Sequence, residues 1–385
     1  MAAGTDGDPH TVQEDGGGDF LTLNAALSDV AIDTNHFIEI QGSWTNDDTA
    51  ACTVADTGLT IRTAGTSKHA GLVVNDGASS EGHYRLVKTS GGHCITVNQT
   101  GCTINDLVVK QGQTGASDEC IRMAASGGAT LNINSCIIWG SVGGSSNDQN
   151  GIFASGITCT INVTNCQVYG FSRSGICSQG GANATITYNI NSCSIWDNGY
   201  DDNDYDTGGC ATKQSNSNAT TLWNIYNTIC VGNHTSSANT GNATNAADFN
   251  DNAASGSTVT WNIDYSIGSD LSLSAQDSGA VGSLEQHNHT DDNTKSSDGD
   301  WVIFEDITST PFDLRLQSHT YNEAENMHST GTGAGLSIPS TDIVGTSRAT
   351  AYECGSFTIA VAGGGANPKG PLGHPFLGPF GGPIA

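Results

Sequence analysis

Hydrophobic and polar residues alternate over many short stretches of this chain. The segments that begin at Thr130, Thr160, Thr187 and Thr260 all place apolar residues at every second position, as in Thr-Leu-Asn-Ile-Asn. A period of two is the pattern of a β-strand that buries one of its faces. The alternation therefore predicts an all-β protein built from many short strands.

One segment of this kind recurs along the chain. Six copies align on an anchor position that is occupied by Leu107, Cys136, Cys166, Cys193, Thr228 and Ser266. Five copies carry an asparagine four positions before the anchor: Asn132, Asn162, Asn189, Asn224 and Asn262. The first copy has Thr103 there, and the anchors are separated by 29, 30, 27, 35 and 38 residues. Recurrence at such a period is typical of a solenoid.

Each repeat contains three short apolar stretches. A polar residue before the anchor indicates a bend between two of them, and the third lies upstream, as in the segment that begins at Gly151. Three strands per repeat predict one coil of a right-handed parallel β-helix. Residues 10–310 contain no proline, as expected where nearly every backbone N–H joins a ladder. A β-sandwich is the alternative fold, but it gives no reason for the recurring register.

The two ends of the chain differ from the repeats. Apolar residues at helical spacing predict a short N-terminal capping helix: Phe20, Leu23, Ala26, Leu27 and Val30. We predict an N-terminal arm over residues 1–18, the β-helix with its cap over 19–358, and an extended Gly/Pro-rich tail over 359–385. Apolar side chains in that tail are expected to dock on another subunit: Phe376, Leu377, Phe380 and Ile384.

Stacked coils bring equivalent side chains about 4.8 Å apart. The repeated asparagines are therefore predicted to form a column of hydrogen-bonded amides, with a polar binding strip as the alternative. The anchor cysteines Cys136, Cys166 and Cys193 are predicted to point inward. They pack as small apolar thiols or, at this separation, pair as disulfides.

An aromatic column lies three residues after the anchor, at Trp139, Tyr169 and Trp196. Strand parity directs these rings outward. Exposed rings in a column bind sugar rings or a partner, or fill a subunit interface. Packing beneath adjacent loops is the alternative interpretation.

The charge of the chain restricts its partners. Only 12 Lys and Arg oppose 39 Asp and Glu, which gives a net charge of -27. This balance argues against nucleic acid, anionic membranes and acidic polysaccharides as ligands. The sequence contains no apolar stretch long enough to span a bilayer, and its start lacks signal-peptide features. A virion or extracellular surface location without a classical signal peptide is therefore expected.

Two segments resemble known β-helix proteins. The stretch from Gly16, GGGDFLTLNAAL, resembles the opening segment of pectate-lyase-like and pectin-esterase-like proteins. The stretches from Phe312 and Asp342 resemble the closing segment of bacterial and phage β-helix surface proteins. The resemblance covers residues 16–358 and implies a parallel β-helix. The catalytic motifs of these families are not matched near Arg122 or Arg173, and Gly-His-Cys at His93 departs from the Gly-His-Gly of polygalacturonases.

Carboxylates are concentrated in loops predicted to share one edge of the solenoid. Four of them are candidate acids and bases for glycosidic-bond cleavage, with solvated turns as the alternative: Asp118, Glu119, Asp148 and Asp204. Alternating acidic residues resemble the opening of a calcium loop and are candidate ligands of a structural Ca²⁺: Asp202, Asp204 and Asp206. No other cofactor is expected.

Together these features predict a non-enzymatic structural or adhesive protein. Its expected setting is a virion, as a head decoration or tail-associated β-helix protein, or a cell surface. Its expected partners are two further copies in a homotrimer, other virion or surface proteins bound through the tail, and a glycan. The alternative is a tailspike-like polysaccharide depolymerase that acts on a neutral glycan.

Overall fold

The structure is a computed structural model. It describes residues 5–29, 34–73, 82–112, 118–141, 149–199, 207–213, 218–233, 248–251, 256–268, 277–278, 284–285, 304–306, 313–316, 332–333, 336–348 and 355–357. The statements below concern these residues.

Strands of the described residues form three parallel sheets. Sheet A contains His10–Val12, Phe37–Ile40, Thr60–Thr63, Cys102–Asn105, Ala129–Asn134, Cys159–Thr164, Thr185–Asn191, Thr220–Tyr226, Thr258–Asp264 and Asp277–Ser278. Sheet B contains Arg85–Lys88, Val108–Gln111, Ile137–Gly140, Gln167–Tyr169, Ser194–Trp196, Ile229–Val231, Ser266–Gly268 and Leu284–Glu285. Sheet C contains Cys52–Val54, Ile95–Val97, Ile121–Met123, Asn150–Ser155, Ser174–Gln179, Gly208–Thr212 and Phe249–Asp251.

Each sheet is built from strands one coil apart in the chain. In sheet A, Asn132 pairs with Asn162, which pairs in turn with Asn189. The chain visits sheets A, B and C in the same order in successive coils. This is the predicted right-handed parallel β-helix, and the sandwich alternative is wrong because a sandwich is built from antiparallel strands. The three sheets also support the resemblance to pectate-lyase-like β-helix proteins.

The remaining elements are short. One α-helix spans Leu23–Leu27 and one 3-10 helix spans Gly65–Ser67. Two antiparallel pairs join Phe304–Asp306 to Asp313–Leu316 and Thr332–Gly333 to Leu336–Ser337. None of the helices in the described residues is long and apolar enough to cross a membrane.

The bend before each anchor is a single residue in the left-handed conformation. The φ angles are 52° at Ser135, 54° at Asn165, 55° at Ser192, 52° at Asn227 and 45° at Tyr265. One such residue turns the chain sharply from sheet A to sheet B. Asparagine tolerates this conformation better than most residues because its short side chain hydrogen-bonds locally. The predicted bend is confirmed.

The asparagine column is also present as predicted. Asn162 Nδ2 donates to Asn132 Oδ1 at 2.7 Å, and Asn189 donates to Asn162 at 2.7 Å. Asn224 and Asn262 continue the column, each donating to the preceding amide at 2.8 Å. Asn132 Nδ2 donates to Thr103 Oγ1 at 3.3 Å. The threonine of the first copy therefore accepts the bond that an asparagine oxygen accepts in the others.

The anchor cysteines point into the solenoid, where they join the aliphatic residues of the core. The eleven cysteines that the structure describes are buried free thiols. Cys136 N–H donates to Cys166 Sγ at 3.4 Å, and the Cys166 thiol donates to Ile133 O at 3.5 Å. Burial raises the pKa of Cys166 well above its ordinary value. In the described coils the column thus holds thiols, and not disulfides.

Inside the coils from residue 185 to residue 264, aromatic rings replace aliphatic side chains. Tyr188, Trp223 and Trp261 stack face to face, with ring centroids 4.5 and 5.0 Å apart. Tyr188 Oη donates to Cys177 O at 2.7 Å, and Trp223 Nε1 donates to Thr212 Oγ1 at 3.0 Å. The stack fills the interior and satisfies two buried polar atoms, so it stabilises this end of the solenoid.

The N-terminal segment differs in detail from its prediction. Residues 10–12, assigned above to the arm, pair with Phe37–Ile40 as a strand of sheet A. The helix Leu23–Leu27 lies within the predicted capping segment, but Phe20 lies outside it and bridges to Val12. Thr22 caps the helix by accepting from Ala25 N–H. Phe20 precedes this cap and so stays extended. That the helix covers the end of the solenoid stays a prediction, and Val30 lies outside the described residues.

A C-terminal strap, residues 336–348 and 355–357, lies across the corner between sheets A and B. Asn165 Nδ2 donates to Thr341 O at 2.8 Å, and Arg348 Nη2 donates to Asn165 Oδ1 at 3.1 Å. Gly355 N–H donates to Asn227 O at 2.8 Å. The left-handed corner residues therefore also hold the strap. The tail over 359–385 lies outside the described residues.

The asparagine column should contribute measurably to stability. Asn189→Ala removes two amide hydrogen bonds, and we expect it to lower the free energy of unfolding by about 1–2 kcal/mol. Thr187→Ala alters the same partly exposed sheet face without touching the column, and it should cost about 0.5 kcal/mol or less. Urea unfolding of both variants measures the difference. Equal losses would show that the column adds nothing.

A buried histidine predicts a pH dependence of folding. His69 Nε2 donates to Ser135 O at 2.7 Å, and its Nδ1 accepts from Gly71 N–H at 3.0 Å. Burial lowers the pKa of His69 from 6.5 to about 4. Between pH 6.5 and about 4, His69 therefore binds a proton in the unfolded chain but not in the folded chain. The contribution of neutral His69 to the free energy of unfolding is complete above pH 6.5. It is lost as the pH falls toward 4, by about 3 kcal/mol.

The measurement compares the wild type with His69→Gln, because glutamine donates to a carbonyl but does not titrate. Urea unfolding at several pH values from neutral to about 4 should give a smaller loss of stability in the variant. Identical pH profiles would contradict the assignment of this dependence to His69.

Candidate functional site

Two of the predicted catalytic carboxylates lie together at the corner that precedes sheet C. Asp118 and Glu119 come directly before the strand Ile121–Met123. Asp118 Oδ2 accepts from Gly92 N–H at 2.9 Å. Glu119 Oε2 lies 2.5 Å from His93 Nδ1. Both side chains thus reach back to the turn of the preceding coil.

His93 lies between this glutamate and an arginine. Its Nε2 is 2.7 Å from Arg122 Nη1. A guanidinium only donates hydrogen bonds, so Arg122 donates and His93 Nε2 accepts. The other ring nitrogen, Nδ1, accepts from Glu119 N–H at 3.2 Å and also lies against the carboxylate of the same residue. The result is a continuous row of polar contacts from Arg122 through His93 to Glu119.

This arrangement favours a structural role for the two carboxylates. Their exposed fractions are 7% for Asp118 and 4% for Glu119. A glycosidase needs two carboxyl groups that face each other across a bound sugar. Here one carboxylate binds a backbone N–H and the other orients an imidazole, so both fix the turn at residues 92–93.

Sequence reasoning compared His93 and Arg122 only with the motifs of known families and did not bring them together. They are separated by 29 residues, which is one coil of the solenoid. Thr96, which follows His93 in the same coil, pairs in register with Arg122. The repeat period was therefore a signal that could have found this contact.

The remaining acidic candidates lie outside the described residues. This holds for Asp148, Asp202, Asp204 and Asp206, and for the tail residues Phe376, Leu377, Phe380 and Ile384. Within the described ranges, no group of three or more His, Cys, Asp or Glu side chains could hold a metal ion. The structural Ca²⁺ stays a prediction.

The aromatic column is buried, contrary to the exposed arrangement considered above. Trp139, Tyr169 and Trp196 keep only 3%, 1% and 6% of their surface. They do point outward from sheet B, but they pack in a cluster with residues of the strap and of a neighbouring loop, among them Ile343, Phe357 and Val73. These rings offer no open face to a sugar. The strap covers them because an exposed apolar strip of this size is unfavourable in water.

Sheet A carries the regular open surface of the molecule. Two of its outward columns form the threonine–asparagine face, which we define by Thr130, Thr160, Thr187, Asn132, Asn162, Asn189, Asn224, Thr260 and Asn262. All of these side chains are partly exposed. The columns are in register from coil to coil, with Leu222 in the place of the fourth threonine.

Most outward residues of the other two sheets are buried over the same coils, with Ser155 and Gln179 of sheet C as partly exposed exceptions. In sheet B, Ile137 and Ile229 lie in the cluster beneath the strap. In sheet C, Phe153, Cys177 and Ala211 keep 7% of their surface or less. Among the described strands, sheet A therefore offers the solvent a column of polar groups that runs through five coils.

No family model matches this sequence, and no curated protein matches it at the significance threshold. Among solved structures the chain is similar to a pectate lyase, Pel9A, at 12% sequence identity and a TM-score of 0.44, over 91% of this chain and 96% of the lyase. It is also similar to the pectin methylesterase from carrot, at 11% identity and a TM-score of 0.33, over 85% and 93% of the two chains. The assignment of a parallel β-helix rests on the three sheets of this chain itself.

Proposed function

We propose that this chain is a non-enzymatic structural or adhesive protein of a virion or a cell surface. The proposal is carried by the use of Asp118 and Glu119, the described catalytic candidates, in hydrogen bonds that hold the preceding coil. A fold of this kind suits a carbohydrate-related protein. The chemistry that it presents outward is adhesive, because sheet A exposes hydroxyl and amide groups in repeated columns.

Mechanical rigidity is the second requirement for such a role. The interior is one continuous cluster of buried side chains that runs from Val12 to Ile263. The polar columns add hydrogen bonds between neighbouring coils. The strap adds hydrogen bonds to residues far away in the chain, such as that from Asn165 to Thr341. A rod braced in this way resists local opening, and thereby proteolysis at its surface.

The proposed setting includes partners. We place the protein in a homotrimer on a virion or extracellular surface, joined to other virion or surface proteins through the apolar residues of its tail. The acidic balance of the chain supports assembly next to neutral or basic partners and disfavours nucleic acid.

A depolymerase is the second candidate function, and the corner at His93 is the feature that favours it. His93 is 19% exposed and contacts both a carboxylate and a guanidinium. An acidic group at this corner could protonate a glycosidic oxygen, with Asp148 or Asp204 as the second carboxylate. The substrate would be a neutral glycan.

Glu119→Gln distinguishes the two functions. We expect the variant to lose about 1–3 kcal/mol of stability, because the buried carboxylate that contacts His93 is replaced by a neutral amide. We expect neither the wild type nor the variant to release reducing ends from neutral capsule or exopolysaccharide preparations. Thermal denaturation and a reducing-end assay measure the two effects.

Glu39→Gln is the matched control, because Glu39 pairs with Arg62 on sheet A, away from this corner. Release of reducing ends by the wild type and by Glu39→Gln, but not by Glu119→Gln, would contradict the non-enzymatic proposal and support the depolymerase.

The tail is tested by truncation after Gly363. The shortened protein should keep its unfolding temperature, because the three sheets and the strap precede this residue. It should no longer join its native assembly, because the apolar docking residues are removed. Circular dichroism and co-sedimentation with assembled particles measure the two outcomes. Unchanged incorporation would contradict the docking role.

A further inference from the structure

The threonine–asparagine face is a two-dimensional array. Along a strand, its threonine and asparagine positions are two residues apart, which is about 6.6 Å. Across the strands, equivalent residues of successive coils are about 4.8 Å apart. The pairing runs without a register shift from Asn132 through Asn162, Asn189 and Asn224 to Asn262. The asparagine is thus offered at regular intervals over five coils, and the threonine in all of these coils except the one that contains Leu222.

The amides of the array keep hydrogen-bonding capacity for a ligand. Asn189 donates one N–H to Asn162 and accepts one bond from Asn224. A carboxamide carries two N–H donors and two acceptor sites. Each inner amide of the column therefore retains one donor and one acceptor, and the column holds all of them in one orientation. Groups fixed in this way lose little conformational entropy when they bind.

The face is uncharged although the chain carries a charge of -27. Its columns contain threonine, asparagine and one leucine. Charged side chains of sheet A lie beyond the two columns, at Arg62 toward one end and at Asp264 toward the other. A neutral face matches an uncharged ligand, because a charged polymer finds no opposite charge on these columns to offset its desolvation.

From this array we infer that the threonine–asparagine face binds an ordered, extended, uncharged polysaccharide. Sugar hydroxyls donate and accept hydrogen bonds, as the threonine hydroxyls and the remaining donor and acceptor of each inner amide do. One sugar gains little from one coil, but a rigid polymer repeats its unit along the array and adds the contacts together. The inference rests on the proposed adhesive function and names the ligand class of that function.

The test is depletion of the full-length protein from solution by microcrystalline cellulose and by chitin powder. The test variant is the double substitution Thr160→Val and Thr187→Val, which keeps the β-branched shape and removes two adjacent hydroxyls. The control is the double substitution Thr53→Val and Thr96→Val, because these two threonines pair in register on sheet C.

We expect the wild type and the control to bind at least one powder, and the test variant to bind it about tenfold more weakly. Added salt should leave the binding unchanged, because no charge is involved. Absence of wild-type binding to both powders would overturn the inference, and so would equal losses in the test and control variants.

The outcomes separate this inference from the proposed function. A protein that binds neither powder and releases no reducing ends is still a structural protein, but its ligand is not a polysaccharide of this class. A protein that binds through the face and also releases reducing ends through Glu119 keeps the inferred binding face and loses the non-enzymatic role.

Discussion

The structure depends on the in-register pairing of each coil with the next. Parallel backbone hydrogen bonds hold the coils about 4.8 Å apart, so each side chain lies directly above an equivalent one. A shift of one residue would exchange the inner and outer faces of every strand. The buried position of Ile133, Val163 and Ile190 in one column fixes this register, because a shift would expose all three to water.

The same pairing decides how polar groups are accommodated. Side chains that would be isolated in an irregular fold form continuous columns here, as amides do at Asn162 and Asn189 and as thiols do at Cys136 and Cys166. The left-handed corners recur for the same reason, since each coil must turn from sheet A to sheet B at the same height. A single corner residue such as Asn165 also holds the strap, so local turn chemistry contributes to tertiary closure.

The three sheets differ in what covers them, and the proposed function rests on this difference. Sheet B carries aromatic rings outward and needs the strap to bury them. At the corner before one strand of sheet C, Arg122, His93 and Glu119 lie in contact, which uses an acidic candidate for structure. Sheet A alternates threonine and asparagine, side chains that tolerate water and that can bind a neutral partner. A rod with one regular polar face fits the adhesive role proposed above.

The sequence by itself determined the solenoid, the bend before each anchor and the asparagine column. Apolar residues recur at every second position within a strand, and equivalent strands recur about every thirty residues along the chain. It did not determine whether Trp139, Tyr169 and Trp196 are exposed or buried. Their burial depends on Ile343 and Phe357, which lie far away in the chain. It likewise could not assign Glu119 to His93. Such contacts depend on how corners and straps meet in space, and only the tertiary structure decides that.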